Sequence, residues 1–124
     1  MLSDSIFTKE MSSFLSGYMT CALWTSHDAD GECLDVNYGT HDISGDTQME
    51  MTKDCVEFYK ANRELFPEGY SMNEAGHDFW LTRNGHGAGF WDRDLGEAGA
   101  ILTEKCEAYP EVDLYVGDNG LICS

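Results

Sequence analysis

Basic residues are scarce in this chain of 124 residues. Seven Lys and Arg stand against 23 Asp and Glu, which gives a formal charge of -16. A field of this sign repels the phosphates of nucleic acids and anionic membrane surfaces, and it attracts cationic protein surfaces. We therefore expect a basic protein as the partner, with no direct nucleic-acid or membrane contact. A solvated acidic surface or a high-salt habitat gives the same composition, so the charge alone identifies no partner.

The chain also lacks paired cysteines and long apolar runs. Its cysteines are odd in number and have no Cys-x-x-Cys spacing, which favours reduced thiols in the cytoplasm: Cys21, Cys33, Cys55, Cys106 and Cys123. No window approaches the roughly 20 apolar residues of a membrane span, and no basic segment precedes an apolar one near Met1. We predict a cytoplasmic protein that is neither secreted nor membrane-inserted. Its length and its 42% hydrophobic residues fit one globular domain, residues 1–124.

Apolar residues recur at helical spacing in three segments. The first runs from Ser5 to Thr25 after Ser3 or Asp4 as N-cap, and Gly17 within it suggests a close helix contact. The second follows Asp46 as N-cap, from Thr47 to Leu65, and stops before Pro67 and Gly69. The third begins near Leu95 and ends at Pro110. We also expect a single helical turn at the capping box Ser71-Met-Asn-Glu74.

Two segments are predicted to form β-hairpins. In the stretch from His77 to Asp94, Phe79–Arg83 and Phe90-Trp91 favour strands, and Asn84–Gly89 supplies a glycine-rich tip. In the tail, residues 112–116 alternate in polarity as a half-buried strand, residues 117–120 form a turn, and residues 121–123 return as the last strand. The predicted fold is therefore α+β, a small antiparallel sheet of about four short strands in two hairpins, packed against three main helices.

The first of these hairpins carries the candidate site for an enzyme. Imidazole and carboxylate groups at its base and tip suggest a small metal-dependent hydrolase or nucleotide-modifying enzyme, and the residues concerned are His77, Asp78, Arg83, His86 and Asp92. His77 and His86 lie most of a strand length apart, so we assign no metal, no cofactor and no catalytic residue. We expect Trp80 and Trp91 to be core residues, and Arg83 and Arg93 to pair with Asp92 or Asp94.

Other catalytic and metal-binding patterns are missing. Asp28-x-Asp-Gly-Glu32 begins like a calcium loop, but its glycine comes too early and no glutamate stands at the twelfth position. We interpret residues 26–45 as an ordered acidic loop. Cys55 and Cys106 lie on apolar helix faces and are predicted to be core residues, and no Gly-x-Ser-x-Gly motif occurs.

The segment from Ala75 to Arg93, which contains HDFWLTRNGHGAGFWDR, resembles a family of small, uncharacterised proteins of tailed bacteriophages and prophages. The resemblance extends to the segments from Phe14 to Trp24 and from Val112 to Asp118. It implies an accessory protein working in the host bacterial cytoplasm, and it transfers no catalytic residue.

A small acidic phage protein is similar in character to inhibitors whose carboxylates imitate DNA phosphates and occupy the basic channel of a host nucleic-acid-binding or defence enzyme. The expected partner-binding residues are the carboxylates of the acidic loop and its neighbours, namely Asp28, Asp30, Glu32, Asp35, Asp42, Asp46, Glu50, Glu111 and Asp113. A third possibility is a structural phage protein that associates with itself through the central hairpin.

Overall fold

The structure is a computed structural model that describes residues 4–85, 89–93 and 95–124. In this part of the chain the architecture is mostly helical, with four α-helices: α1 (Asp4–Thr25), α2 (Gly45–Asn62), α3 (Met72–Arg83) and α4 (Glu97–Lys105). Short 3-10 turns lie between them, at Leu34–Val36, Thr40–Asp42, Arg63–Leu65, Phe90–Asp92 and Cys106–Ala108. Two strands of two residues each, β1 (Tyr115–Val116) and β2 (Ile122–Cys123), form one antiparallel pair.

The first two predicted helices are present. α1 matches its predicted range within one residue. α2 begins two residues earlier than predicted, because Ser44 rather than Asp46 is its N-cap and accepts a hydrogen bond from the Thr47 amide at 3.3 Å. Its α-helical part ends at Asn62, and a 3-10 turn continues to the predicted end at Leu65.

The predicted central hairpin is wrong, because its first strand belongs to α3. Ser71 caps this helix by accepting from the Glu74 amide at 3.1 Å, as the capping box predicted, but the helix continues through Arg83 instead of stopping after one turn. Phe79 and Trp80 favour strands locally, yet they lie on one helical face with Ala75, and this face is buried. Burial of the helical face outweighed the local preference. His86 in the predicted tip lies outside the described residues.

Two glycines allow α1 and α3 to cross with their backbones in contact. A Cβ atom at Gly76 would overlap the carbonyl oxygen of Phe14 and would lie 2.8 Å from its carbonyl carbon. A Cβ at Gly17 would overlap the Asn73 carbonyl in the same way. The predicted close helix contact at Gly17 is confirmed, and Gly76 supplies its other half.

Aromatic rings from α1, α2 and α3 form the centre of the core. Phe58 stacks on Phe79 with ring centroids 4.1 Å apart, and Phe14 packs against both rings. Cys55 and Cys106 are buried, as predicted, and all five cysteines are free thiols. Trp80 is buried, but Trp91 is 57% exposed, so the prediction of a core position for it is wrong.

The C-terminal hairpin is the sheet of this fold. Tyr115 pairs with Cys123 and Val116 pairs with Ile122, so the strands occupy only part of the predicted segments. The third main helix is also shorter than predicted, because its last turn becomes the 3-10 turn at Cys106–Ala108. The predicted sheet of about four strands is therefore corrected to one two-stranded pair beside a helical core. None of the helices in the described ranges combines the length and apolar character needed to cross a membrane.

Candidate acidic interface

Residues 26–52 and 106–124 are two of the segments of the chain that contain no Lys or Arg. Residues 26–52 carry seven Asp and Glu, and residues 106–124 carry four more. All nine predicted partner-binding carboxylates fall within these two segments, because Glu107 and Asp118 are the only other acidic residues there. We call the surface formed by residues 26–52 and 106–124 the acidic face.

Backbone contacts join the two segments in space. The Ser44 amide donates to the Ile122 carbonyl at 2.8 Å, and Ile43 forms a parallel bridge with Ile122. The Ser124 amide donates to the Thr47 hydroxyl at 3.1 Å. The start of α2 and the C-terminal strand therefore hold the two acidic segments side by side.

Some of the predicted carboxylates shape the acidic loop. One oxygen of Asp28 accepts from the amides of Asp30 and Glu32, at 2.9 and 3.0 Å. Asp42 accepts from the Gly39 amide at 2.8 Å. Asp28 and Asp42 are half-buried, and these bonds make them structural elements of the loop.

The other predicted carboxylates point their side chains into solvent. They come from the loop, from the first turns of α2 and from the segment before β1, and they are Asp30, Glu32, Asp35, Asp46, Glu50, Glu111 and Asp113. Glu32 accepts from the Asn37 side chain at 3.1 Å, and Glu50 from the Ser124 hydroxyl at 3.4 Å. The structure thus places seven of the nine residues on the exposed part of the acidic face.

The two central arginines form their ion pairs with carboxylates outside the two acidic segments. Arg83 pairs with Asp54 at 2.8 Å and also donates to the Pro110 carbonyl, at 3.0 Å from Nε and 2.7 Å from Nη2. Arg93 pairs with Asp78 at 3.0 Å. These two pairs use Asp54 and Asp78, whereas the predicted partners, Asp94 and the Asp92 side chain, lie outside the described residues. The five remaining basic residues lie outside both acidic segments: Lys9, Lys53, Lys60, Arg63 and Lys105.

Three of the residues predicted for an enzyme site, His77, Asp78 and Arg83, lie on α3 and contact different neighbours. Asp78 is fully buried and accepts hydrogen bonds from Arg93 and from the Tyr70 hydroxyl. The His77 ring instead lies against Trp24, with centroids 6.0 Å apart, and its Nδ1 is buried with no hydrogen-bond partner among the described residues. Arg83 forms its ion pair with Asp54. His86 lies outside the described residues, as does the Asp92 side chain.

Burial dominates the electrostatics of this region. It raises the pKa of Asp78 despite the opposing hydrogen bonds and charge of Tyr70 and Arg93. It also lowers the pKa of His77. Across the ranges that the structure describes, no cluster of three His, Cys, Asp or Glu side chains is placed to hold a metal ion. The predicted enzyme site and the predicted self-association both relied on a hairpin in this segment. Its first strand is instead part of α3.

A cavity of about 380 Å³ at the edge of the acidic face was not predicted. Its wall combines the C-terminal ends of α1 and α3 with the segment before β1, and its lining residues include Thr25, Ser26, His27, Trp80, Asn84, Glu111 and Asp113. Only Glu111 and Asp113 were predicted as functional residues. No local pattern marks the others, because the three segments are distant in sequence.

Comparison with protein-family models, with curated proteins and with solved structures gave no match. The resemblance to phage proteins therefore stays a prediction.

Proposed function

We propose that this protein is a phage accessory protein of the host bacterial cytoplasm. It binds a basic host enzyme that handles nucleic acid or takes part in defence, and it inhibits that enzyme by presenting carboxylates where the enzyme binds DNA phosphates. The observation that carries this proposal is the acidic face, which gathers 11 Asp and Glu without a single Lys or Arg.

Two physical properties of the face support this function. Its charge attracts a basic surface over about 10 Å at ordinary salt, which speeds association. Its loop is held by hydrogen bonds to Asp28 and Asp42, so part of the ordering cost of binding is met before the partner arrives. A fixed array of carboxylates is what imitation of a phosphate backbone requires.

A charge-neutralised variant and a matched control test the proposal. The face variant combines Asp30→Asn, Asp35→Asn, Asp46→Asn and Glu50→Gln. The control combines exposed sites outside the face, Glu64→Gln, Glu68→Gln, Glu97→Gln and Glu104→Gln. Both variants lose four negative charges, so any difference between them reflects position rather than net charge.

The immobilised proteins are incubated with bacterial lysate at low and high salt, and captured proteins are identified by mass spectrometry. We expect the wild type and the control to capture a DNA-handling or defence enzyme at low salt, and duplex DNA to displace it. At up to about 1 kcal/mol per exposed charge pair, the face variant should bind this enzyme roughly 10-fold or more weakly. Equal binding by the two variants, or capture that DNA does not displace, would refute the proposal.

A further inference from the structure

Two hydrogen-bond donors in the wall of the cavity, the Trp80 indole and the Asn84 side chain, already have partners. The Trp80 indole donates to the Thr25 hydroxyl at 2.7 Å. The Asn84 side chain donates to the Trp80 carbonyl at 2.9 Å and accepts from the Val112 amide at 2.8 Å. These bonds fix the segment before β1 against the end of α3. This part of the wall is therefore preorganised, and the side-chain donors left to a ligand are the Ser26 hydroxyl and the His27 ring among the described lining residues.

The acidic groups of the cavity are two carboxylates. Glu111 and Asp113 are exposed at the cavity, and neither carboxylate accepts a hydrogen bond from another residue in the described ranges. Among the described residues, no Lys or Arg lines the cavity. α1 also ends here at Thr25 without a basic residue in its last turn, so the negative end of its dipole is not compensated by its own side chains. The cavity therefore favours a ligand that is cationic and rich in donors.

The segment at this cavity already binds one guanidinium within the protein. Arg83 directs Nε and Nη2 to the carbonyl of Pro110, the residue immediately before Glu111, and its Nη1 to Asp54. A backbone carbonyl combined with a carboxylate is thus a guanidinium site of this fold. The cavity offers two carboxylates, Glu111 and Asp113, next to this site and on the side open to solvent.

We propose that the cavity takes the guanidinium of one arginine side chain that the basic partner inserts into it. This inference rests on the proposed function and names the contact that anchors the partner. A volume of about 380 Å³ is near the lower end of ligand pockets, which suits one side chain rather than a large ligand. Arginine is also one of the residue types that dominate binding when a pocket of the partner encloses them.

The test uses n-butylguanidinium as the probe and n-butylurea as its neutral control, with the indole N–H signals of the three tryptophans recorded by NMR. Trp80 lines the cavity, whereas Trp24 and Trp91 are exposed and are not among its lining residues. We expect butylguanidinium to shift the Trp80 signal saturably while the other two stay in place, and butylurea to leave all three unchanged. Equal shifts with both probes, or no shift of Trp80, would overturn the proposal.

Two double variants distinguish binding in the cavity from a general attraction of the probe to negative charge. Glu111→Gln with Asp113→Asn should weaken the probe at least about 10-fold, whereas Glu107→Gln with Asp118→Asn, which removes the same charge from the same segment, should change it less than about 2-fold. Ser26→Leu fills the cavity at unchanged charge and should abolish the Trp80 shift. Circular dichroism confirms that each variant is folded, and equal losses in the two charge variants would contradict a specific site.

The outcomes distinguish this inference from the function on which it rests. If the probe fails while the wild type still captures a DNA-handling enzyme in a salt-sensitive way, the arginine site is refuted and the acidic face stands. If the capture is not displaced by DNA, the proposed function is refuted, whatever the probe does.

Discussion

Adding one methyl group at Gly76 tests the helix crossing that places the ends of α1 and α3 beside the acidic face. In a Gly76→Ala variant the new Cβ overlaps the Phe14 carbonyl oxygen and lies 2.8 Å from the carbonyl carbon and 3.0 Å from the Tyr18 amide nitrogen. All three atoms belong to the backbone of α1. No side-chain rotation relieves the overlap, so the helices must separate.

The expected cost follows from two opposing effects. Alanine in a helix interior is favoured over glycine by about 1 kcal/mol. Overpacking a tight core costs roughly 1–3 kcal/mol and more when backbone must move, as it must here. Separating α1 from α3 also loosens the contacts of Phe14 with Phe79. We expect a net loss of about 2 kcal/mol or more in the free energy of unfolding.

Urea unfolding followed by circular dichroism measures this loss. Gly45→Ala is the matched control, because Gly45 lies in the first turn of α2 and a Cβ there meets nothing within 4 Å. The control should stay within about 0.5 kcal/mol of the wild type or exceed it. A Gly76→Ala protein as stable as the wild type would show that the two backbones are not in contact.

Two further predictions concern the groups around α3. Arg93→Ala leaves the buried Asp78 carboxylate without its cation and should cost roughly 1–3 kcal/mol near pH 7. Because burial raises the pKa of Asp78, protonation of its carboxylate relieves this cost as the pH falls. In urea unfolding, the difference in the free energy of unfolding between variant and wild type should therefore be smaller near pH 5 than near pH 7. A difference that is the same at both pH values would refute the assignment. For His77, burial lowers the pKa, so the stability that the neutral ring contributes is present above the unfolded-state pKa of about 6.5 and is lost as the pH falls through the folded value. His77→Leu should therefore lose less stability than the wild type between about pH 8 and about pH 5 in the same measurement, and equal losses would contradict it.

Helical periodicity and capping residues were sufficient to predict much of the helical structure. α1 and α2 were found because their apolar residues recur every three to four positions between polar ends. α3 was missed although its capping box at Ser71 was recognised. Phe79 to Thr82 favour strands locally, whereas the helix that contains them is held by the contact of Gly76 with the backbone of α1. That contact is tertiary, so no local pattern reports it.

The candidate site shows the same division between local and long-range information. The exposure of Asp30, Asp35 and Glu111 follows from composition, since isolated carboxylates belong on the surface. The structural role of Asp28 follows the preference of Asp for bonding amides two residues ahead, a signal that is present in the sequence. The cavity depends on Thr25, Trp80 and Glu111 meeting in space, and only the packing of α1 against α3 brings them together.

Like charges are crowded on the acidic face, and their mutual repulsion destabilises the folded protein. Neighbouring carboxylates repel one another, and hydrogen bonds such as that from Ser44 to Ile122 hold the two segments together against this repulsion. Added salt screens the repulsion within the protein and also screens its attraction to a basic partner. Rising ionic strength should therefore increase the melting temperature of the free protein and, at the same time, dissociate its complex with a basic partner. High-salt conditions that are ideal for keeping the protein folded are those in which its proposed activity disappears.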